Sequence, residues 1–332
     1  MPTHRFTISE DSNETLLAAV RRLMPGSLSW SAARKLVQGR RVAVGEVLCL
    51  DEARRLTAGE TIVVSDHPAK SPPTAADVRV RYVDPDVVIV EKPSGMTTLR
   101  RKSELSRPLS KRLQQPTLDE CVPLLIREHA ARRNKSKRIH QRLPKLISVH
   151  RIDRDSSGLL VFARNDAAAK KIIEQFAAHD AVRRYFALVP GCVPNQTFSS
   201  QFIRDRGDGL RGSSPDPEVG QHAVTHVETL RVLGDYSELL CRLETGRTNQ
   251  IRIHLAECGH PICGDVKYRG PLNGPEVSDH SNVPRLALHA AELKFKHPTT
   301  GELLQFQTPW PPDMQRFLNR LQRESMKSQR SS

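Results

Sequence analysis

Two segments concentrate the residue types that can do chemistry. In SVHRIDRDSSGLLVFAR (148–164), a strand-like lead-in reaches His150-Arg151-Ile152-Asp153, and Arg154-Asp155-Ser156-Ser157-Gly158 then turns into an apolar strand. Asp153 stands between Arg151 and Arg154, and nearby positive charge favours an ionised carboxylate, which makes it a candidate for catalysis. Taken alone the tetrad says little, because an Asp in an Arg-rich turn more often serves a structural ion pair. The second segment, LETGRTNQIRIHLAECGHPICGDVKY (243–268), has a Gly246-Arg247 turn after a strand, a helix-like QIRIHLAECG, and Gly264-Asp265 ahead of Tyr268. His254, Cys258, His260 and Cys263 crowd together there and are zinc-ligand types. No CxxC pair and no His pair at finger distance accompanies them, so no metal is expected.

Strands are expected on either side of the Asp84-Pro85-Asp86 turn in VRVRYVDPDVVIVEKPSGM, and at GLLVFAR (158–164), YFALVPG (185–191), ELLCRLETG (238–246) and LALHAAELKFK (286–296). Asn165 or Asp166 can cap a helix in which Ala169, Ile172, Ile173 and Phe176 form an i, i+3, i+4, i+7 stripe. Met314, Phe317, Leu318 and Leu321 repeat that stripe before a polar tail, MKSQRSS, expected to fray. Between Met96 and Ser148, residues 100–112 hold six Lys/Arg and one Glu, and residues 127–145 hold eight and one. Thr117-Leu118-Asp119-Glu120 has the form of a capping box, so one helix is expected between two basic, mobile arms, which serve either as solvated loops or as RNA contacts.

Residues 69–77, AKSPPTAAD, read as a linker between a small unit (1–68) and a large one. In the small unit Leu16, Leu17, Val20 and Leu23 fall at helical spacing. A second helix from Ser29 turns Ala33, Leu36 and Val37 inward and Arg34, Lys35, Arg40 and Arg41 outward, and short strands are suggested at RRVAVG and AGETIVV.

The chain has 332 residues and a net charge of +14, too basic for a typical metabolic enzyme and suited to a polyanionic partner. Apolar residues make up 38%, enough for a core and against wholesale disorder. The start of the chain reads as neither a secretory signal nor a presequence, and no run is apolar enough to cross a bilayer; a cytoplasmic protein without a membrane partner is expected. Six scattered cysteines read as reduced and mostly buried, and neither a P-loop nor GxGxxG is present, so no cofactor is expected.

The small unit resembles the S4 RNA-binding domain at Trp30, Arg34, Lys35, Gly39, Arg40, Arg41 and Val42, with Val44-Gly45-Glu46 where an Asn-Gly turn is common. VEKPSGM, HRIDRDSSGLL, RRYFALV, GQHAVTHVETL, TGRTNQIRIHLA, GHPICGD, RLALHA and PWPP occur in one ordered series. By that series the large unit resembles the RluA family of pseudouridine synthases, in the RluC- and RluD-like branch with an S4 domain in front. The resemblance implies an α+β fold with a mixed, largely antiparallel sheet over 78–312, a basic insertion at 99–147, and a C-terminal helix with a frayed tail over 313–332.

It further implies an RNA pseudouridine synthase, with Asp153 as the catalytic aspartate, acting at the sugar's anomeric carbon or on the base. Arg247 would pair with Asp153, Tyr185 would pack on the base as a candidate for moving the ribose 2′ proton, and Arg151 would help displace the target nucleotide. His150, Asn249 and Arg154 are expected beside the substrate, while Lys92-Pro93, Gly158, Gly246 and Gly264 shape the loops that hold the site. Asn249 stands where a His is commonest, Ile152 replaces a Leu, and Arg184 replaces a Lys. The implied partner of a monomer is structured RNA, with large-subunit ribosomal RNA favoured and transfer RNA left open, without a small-molecule cofactor. Two rival readings stay open: an inactive RNA-binding member, and an aspartate-based glycosidase, which would need a second catalytic carboxylate.

Overall fold

The computed structural model describes residues 4–9, 13–45, 47–69, 71–100, 104–106, 108, 112–133 and 143–330. The chain divides into two compact units between Ser71 and Pro72, a point inside the stretch expected to be a linker. Among the described residues no helix is long and apolar enough to cross a membrane.

In the first unit, α1 (Leu16–Leu23) starts where the Thr15 hydroxyl accepts from the Ala18 amide, and α2 (Trp30–Gln38) where Ser29 does the same for Ala32. Strands β1 (His4–Thr7), β2 (Val42–Val44), β3 (Val47–Leu48) and β4 (Thr61–Val64) form a sheet ordered β1-β4-β2-β3. Leu16, Val20, Ala33, Val37, Val42 and Ile62 close a core of the unit's own. Of the turn at Val44-Gly45-Glu46, Glu46 lies outside the described residues.

Among the described residues, the second unit is built on one mixed, mostly antiparallel sheet of 11 strands. From an edge at β5 (Arg79–Val83) it runs through β6 (Val87–Lys92), β8 (Ser157–Ala163), β14 (Leu288–Lys296) and β9 (Val182–Pro190) to β13 (Tyr236–Leu243), with β7 (Ile147–Ser148) paired to β8. Beyond β13 lie β12 (Gln221–Leu233), β10 (Gln196–Ile203) and β11 (Gly212–Ser213), and β15 (Leu303–Gln307) pairs with β14. Side chains alternate across a strand, and β6 and β8 are apolar at every second position on both faces. Val87, Ile89, Leu159 and Val161 pack under α4 (Asp166–Ala177), while Val88, Val90, Leu160 and Phe162 join α3 (Leu118–Arg133) and α6 (Pro312–Arg330). Of the two capping candidates, Asn165 accepts from the Ala168 amide.

Where the parallel neighbours β8 and β14 meet, Gly158 has φ of +118° and pairs with Ala290. A Cβ there would lie 2.6 and 2.8 Å from the Ala290 N and C atoms. Gly158→Ala combines a strained backbone with a backbone collision, so a loss of at least about 2 kcal/mol is expected in denaturant unfolding. An unchanged midpoint would show that the two strands part without cost.

Two expectations are corrected. α6 continues to Arg330, so the tail is helical up to that residue, and 331–332 lie outside the described residues. Its first part carries the Met314, Phe317, Leu318 and Leu321 stripe into the core, and the polar residues extend the same helix. Of the basic arms, 101–103, 107, 109–111 and 134–142 lie outside the described residues. Arg100 and Arg112 are not free there: both grip Glu120, at 2.6 Å each, and residues 127–133 continue α3. Among the six cysteines, all free, Cys192 and Cys258 are exposed and the other four buried.

Candidate active site

Asp153 sits on the loop that links β7 to β8, and the loop is held from below. Lys92, at the end of β6, is buried and its Nζ lies 2.6 to 3.0 Å from the carbonyl oxygens of Pro93, Met96, Arg154 and Ser156. Burial pushes the Lys92 ammonium down to about 7, against the pull of Asp155 and Asp153. Thr98 donates to the Ile152 carbonyl at 2.8 Å and the Gly95 amide to that of Arg154 at 2.8 Å, so the 93–98 turn and the Asp153 loop form one piece. The structural role expected of Lys92-Pro93 has this basis.

The other wall is α5 (Gln250–Glu257), reached from β13 through the Gly246-Arg247 turn. Its residues 250–256 are all buried, and its first turn is organised by Gln250. The Gln250 amide oxygen accepts from Thr245 Oγ1 at 2.7 Å and the Arg247 amide at 2.9 Å, while its nitrogen donates to the Val224 carbonyl at 2.8 Å. Asn249 precedes the helix with φ of 60° and makes no side-chain cap, which leaves its amide free to turn into the site. With the amide turned so that its nitrogen faces the carboxylate, it donates to both Asp153 oxygens at 3.1 and 3.0 Å and its oxygen accepts from the Tyr268 hydroxyl at 3.0 Å, at the expense of a 3.3 Å bond from Arg252 Nη1 to the amide oxygen. The reverse orientation would face the amide oxygen with a carboxylate.

Arg252 completes the constellation. Its Nε and Nη2 form a fork on the buried Asp265 at 2.7 and 2.8 Å, its Nη1 reaches Asp153 Oδ2 at 3.5 Å, and its Cζ lies 5.0 Å from the Tyr268 ring centre. Asp265 also accepts from the backbone amides of Lys267 and Tyr268. The guanidinium is thereby fixed in one plane and offers its remaining edge to Asp153. The arginine against the aspartate is Arg252, not the expected Arg247. Arg247 is exposed, lines the same cleft, and donates from Nε to the His222 carbonyl at 2.9 Å.

Desolvation is the largest influence on Asp153 and raises its pKa, opposed by Arg252, then Arg151 and Lys92. The arginines in the sequence therefore do not by themselves fix its charge. Tyr185, from β9, lines the same cleft; burial pushes its hydroxyl up to about 12, against the pull of Arg183. A phenolate is then rare near neutral pH, and the ring face is what the site gains.

The cleft measures about 500 Å³, within the range of small-ligand pockets, and Arg151, Asp153, Tyr185, Arg183 and Arg247 all line it. His150 lines it too, but its Nε2 accepts from the Val161 amide at 3.1 Å and burial pushes its pKa down to about 3, so it acts as a neutral wall. Arg154 turns elsewhere, donating to the Gly95 carbonyl at 3.2 Å, and does not line the cleft. The zinc-type side chains are spent otherwise: both His254 nitrogens meet hydroxyls, Ser200 Oγ at 3.1 Å and Thr225 Oγ1 at 2.9 Å. Among the described residues no three metal-ligating side chains converge.

In the first unit, Arg34 pairs with Glu52 at 2.9 Å, and Arg41 donates to the Ser65 carbonyl and lies 3.6 Å from Asp66. Arg40 has φ of 61° and donates to the Ala69 carbonyl, while Lys35 is exposed on α2. Trp30 is 51% exposed with the Arg21 guanidinium 4.8 Å from its ring centre.

Residues 86–257 match the RNA pseudouridylate synthase family. An uncharacterized RNA pseudouridine synthase of Bacillus subtilis is 35% identical over 74% of this chain and 74% of its own length. Ribosomal large subunit pseudouridine synthase D of Xanthomonas campestris is 33% identical over 82% and 79%, and its namesake in Zymomonas mobilis 30% over 95% and 96%. Among solved structures, human RNA pseudouridylate synthase domain containing 4 superposes with a TM-score of 0.55 at 22% identity, covering 73% of this chain and 92% of that one.

Proposed function

The chain belongs to the RNA pseudouridylate synthase family and is an RNA pseudouridine synthase, and from that premise we propose that it isomerises uridines of large-subunit ribosomal RNA with Asp153 as the reacting carboxylate. The observation that carries the reading is the Asp153 carboxylate in the cleft, held by Asn249 on both oxygens and by Arg252 on one. Uridine and pseudouridine are isomers. The N1–C1′ bond breaks, the base turns, a C5–C1′ bond forms, the C5 proton is lost to solvent and N1 takes up a proton in its place, so one pocket and one oriented carboxylate suffice. The carboxylate acts at C1′ or on the base, and the detached uracil stays in the cleft against Tyr185. The target nucleotide enters by flipping out of its stack, with the exposed Arg151 positioned at the cleft to take its place.

Ribosomal RNA is favoured over transfer RNA because two relatives that match 82% and 95% of this chain carry the large-subunit name. Carbodiimide-dependent reverse-transcription stops, mapped in total RNA from cells with and without the gene, test this. Stops lost from large-subunit RNA are expected; stops lost only from transfer RNA would overturn the substrate. The first unit, with Lys35, Arg34, Arg40 and Arg41 on and beyond α2, is proposed as an S4-type RNA grip that works alongside the synthase unit. Deleting residues 1–68 is expected to weaken RNA binding and to make log Kd less steep in log salt, by roughly 0.7 to 0.9 for each phosphate that the unit would otherwise neutralise. An identical slope in filter-binding titrations would retire the grip.

A further inference from the structure

Arg183 is 8% exposed, lines the cleft, and has no carboxylate partner among the described residues. It stands two residues before Tyr185 on β9, so both side chains leave the same face of the strand. The guanidinium carbon lies 5.1 Å from the Phe176 ring centre and Nη2 donates to the Glu244 carbonyl at 3.2 Å, while Nε meets no acceptor. The free end of the side chain, at Nη1, lies against Gly246 of the Gly246-Arg247 turn. Burial lowers its pKa, as expected for a cation that has lost water and gained no anion.

Three arginines whose side chains are as enclosed are treated differently, whereas Arg164, away from the cleft, also keeps a buried Nε without an acceptor. Arg252 has the Asp265 fork, Arg206 has Asp208 and Glu257, and Arg100 has Glu120. A buried charge without a counter-charge costs several kcal/mol unless something supplies the anion. Here the fold makes room for the cation, stacks it on an aromatic ring, opens it to the cleft and leaves the anion out.

We propose that Arg183 binds the phosphate of the extruded nucleotide, so that the RNA itself supplies the counter-ion when the target uridine enters. This rests on the uridine-isomerising reading of the cleft. It assigns the phosphate adjoining the target, rather than the base, to this side chain, and it separates Arg183 from the exposed Arg151 and Arg247, which water already serves.

The test uses the full chain and a hairpin RNA containing the mapped uridine, tritiated at C5, so that turnover releases tritium. Three versions carry phosphodiesters throughout, a methylphosphonate 5′ of the target, or a methylphosphonate 3′ of it. Removing one charge-assisted hydrogen bond is expected to lower kcat/KM roughly 10- to 100-fold. The wild-type protein should show that loss on one methylphosphonate RNA. Arg183→Met should show it on the all-phosphodiester RNA, with no further loss on the methylphosphonate one, and Arg183→Lys should recover part of it. Equal wild-type rates on all three RNAs overturn the proposal whatever the variants do, and so does a Met variant that loses as much again on the neutral linkage. Should the wild-type protein release no tritium even from the unmodified hairpin, the isomerase reading of the cleft falls instead.

Discussion

Asp153→Asn is expected to lower turnover by on the order of 10⁴-fold or more, since the carboxylate is the reacting group and the amide keeps only its shape. RNA affinity should stay within a few-fold, because the phosphate-binding groups lie on other side chains. The substitution should not unfold the protein. Burial raises the Asp153 pKa, so the folded state holds its proton more tightly than the unfolded chain does. Such a group contributes less and less as pH rises from the ordinary Asp range through the raised value, and its ionised form is a cost above it. Replacing it with an amide removes that cost, while Arg252 keeps its fork on Asp265. The expected result is an inactive protein with an unlowered melting temperature, read by tritium release and thermal unfolding side by side. Full turnover by the Asn variant would defeat the carboxylate mechanism. The same shift gives the wild-type pH profile its acid limb, with kcat/KM falling as pH drops through a value above that of an unperturbed Asp.

Asp153, the proposed reacting carboxylate, was legible through the ordered series of motifs rather than through its own tetrad, and β8 begins at Ser157, one residue before the strand expected at 158–164. Its charge state was not, since counting arginines ignores desolvation, the largest influence on Asp153. Its partner was misread for a related reason. The resemblance was carried onto Arg247, the arginine of the Gly246-Arg247 turn, whereas Arg252 lies between Ile251 and Ile253 in a buried helix, with no polar face to announce it. The signal available was the anomaly itself: an arginine flanked by isoleucines must find a buried acid, and Asp265, 13 residues on, was the acid.

The central strands were readable from their β-branched runs. The outer ones, β10 to β12, were not, because Ser, Gln, Thr and His dominate TFSSQF and QHAVTH, and a register shift between Thr229 and Arg231 breaks the alternation of β12. β1 and β3, of four and two residues, are defined by pairing rather than by pattern.

Arg252 is where the misreading has the largest experimental consequence. Arg252→Met strands Asp265, whose side chain is wholly buried, and a buried ion pair broken on one side costs about 3–5 kcal/mol. It also removes the strongest of the influences that hold the Asp153 pKa down, so the acid limb of kcat/KM should move to higher pH. Loss of packing alone would lower activity at every pH and leave the limb in place. Arg252→Lys separates the two roles. A lysine keeps the positive charge but cannot span both Asp265 oxygens and still reach Asp153, because its ammonium is a point charge rather than a planar fork. The limb should then stay near the wild-type position while kcat falls roughly 100-fold, the size of effect that a misplacement of about 1 Å produces at a reacting group, with KM changed far less. If Arg247→Met moved the acid limb and Arg252→Met did not, the guanidinium governing Asp153 would be the exposed one, and the role drawn here from the 3.5 Å approach and the Asp265 fork would be wrong.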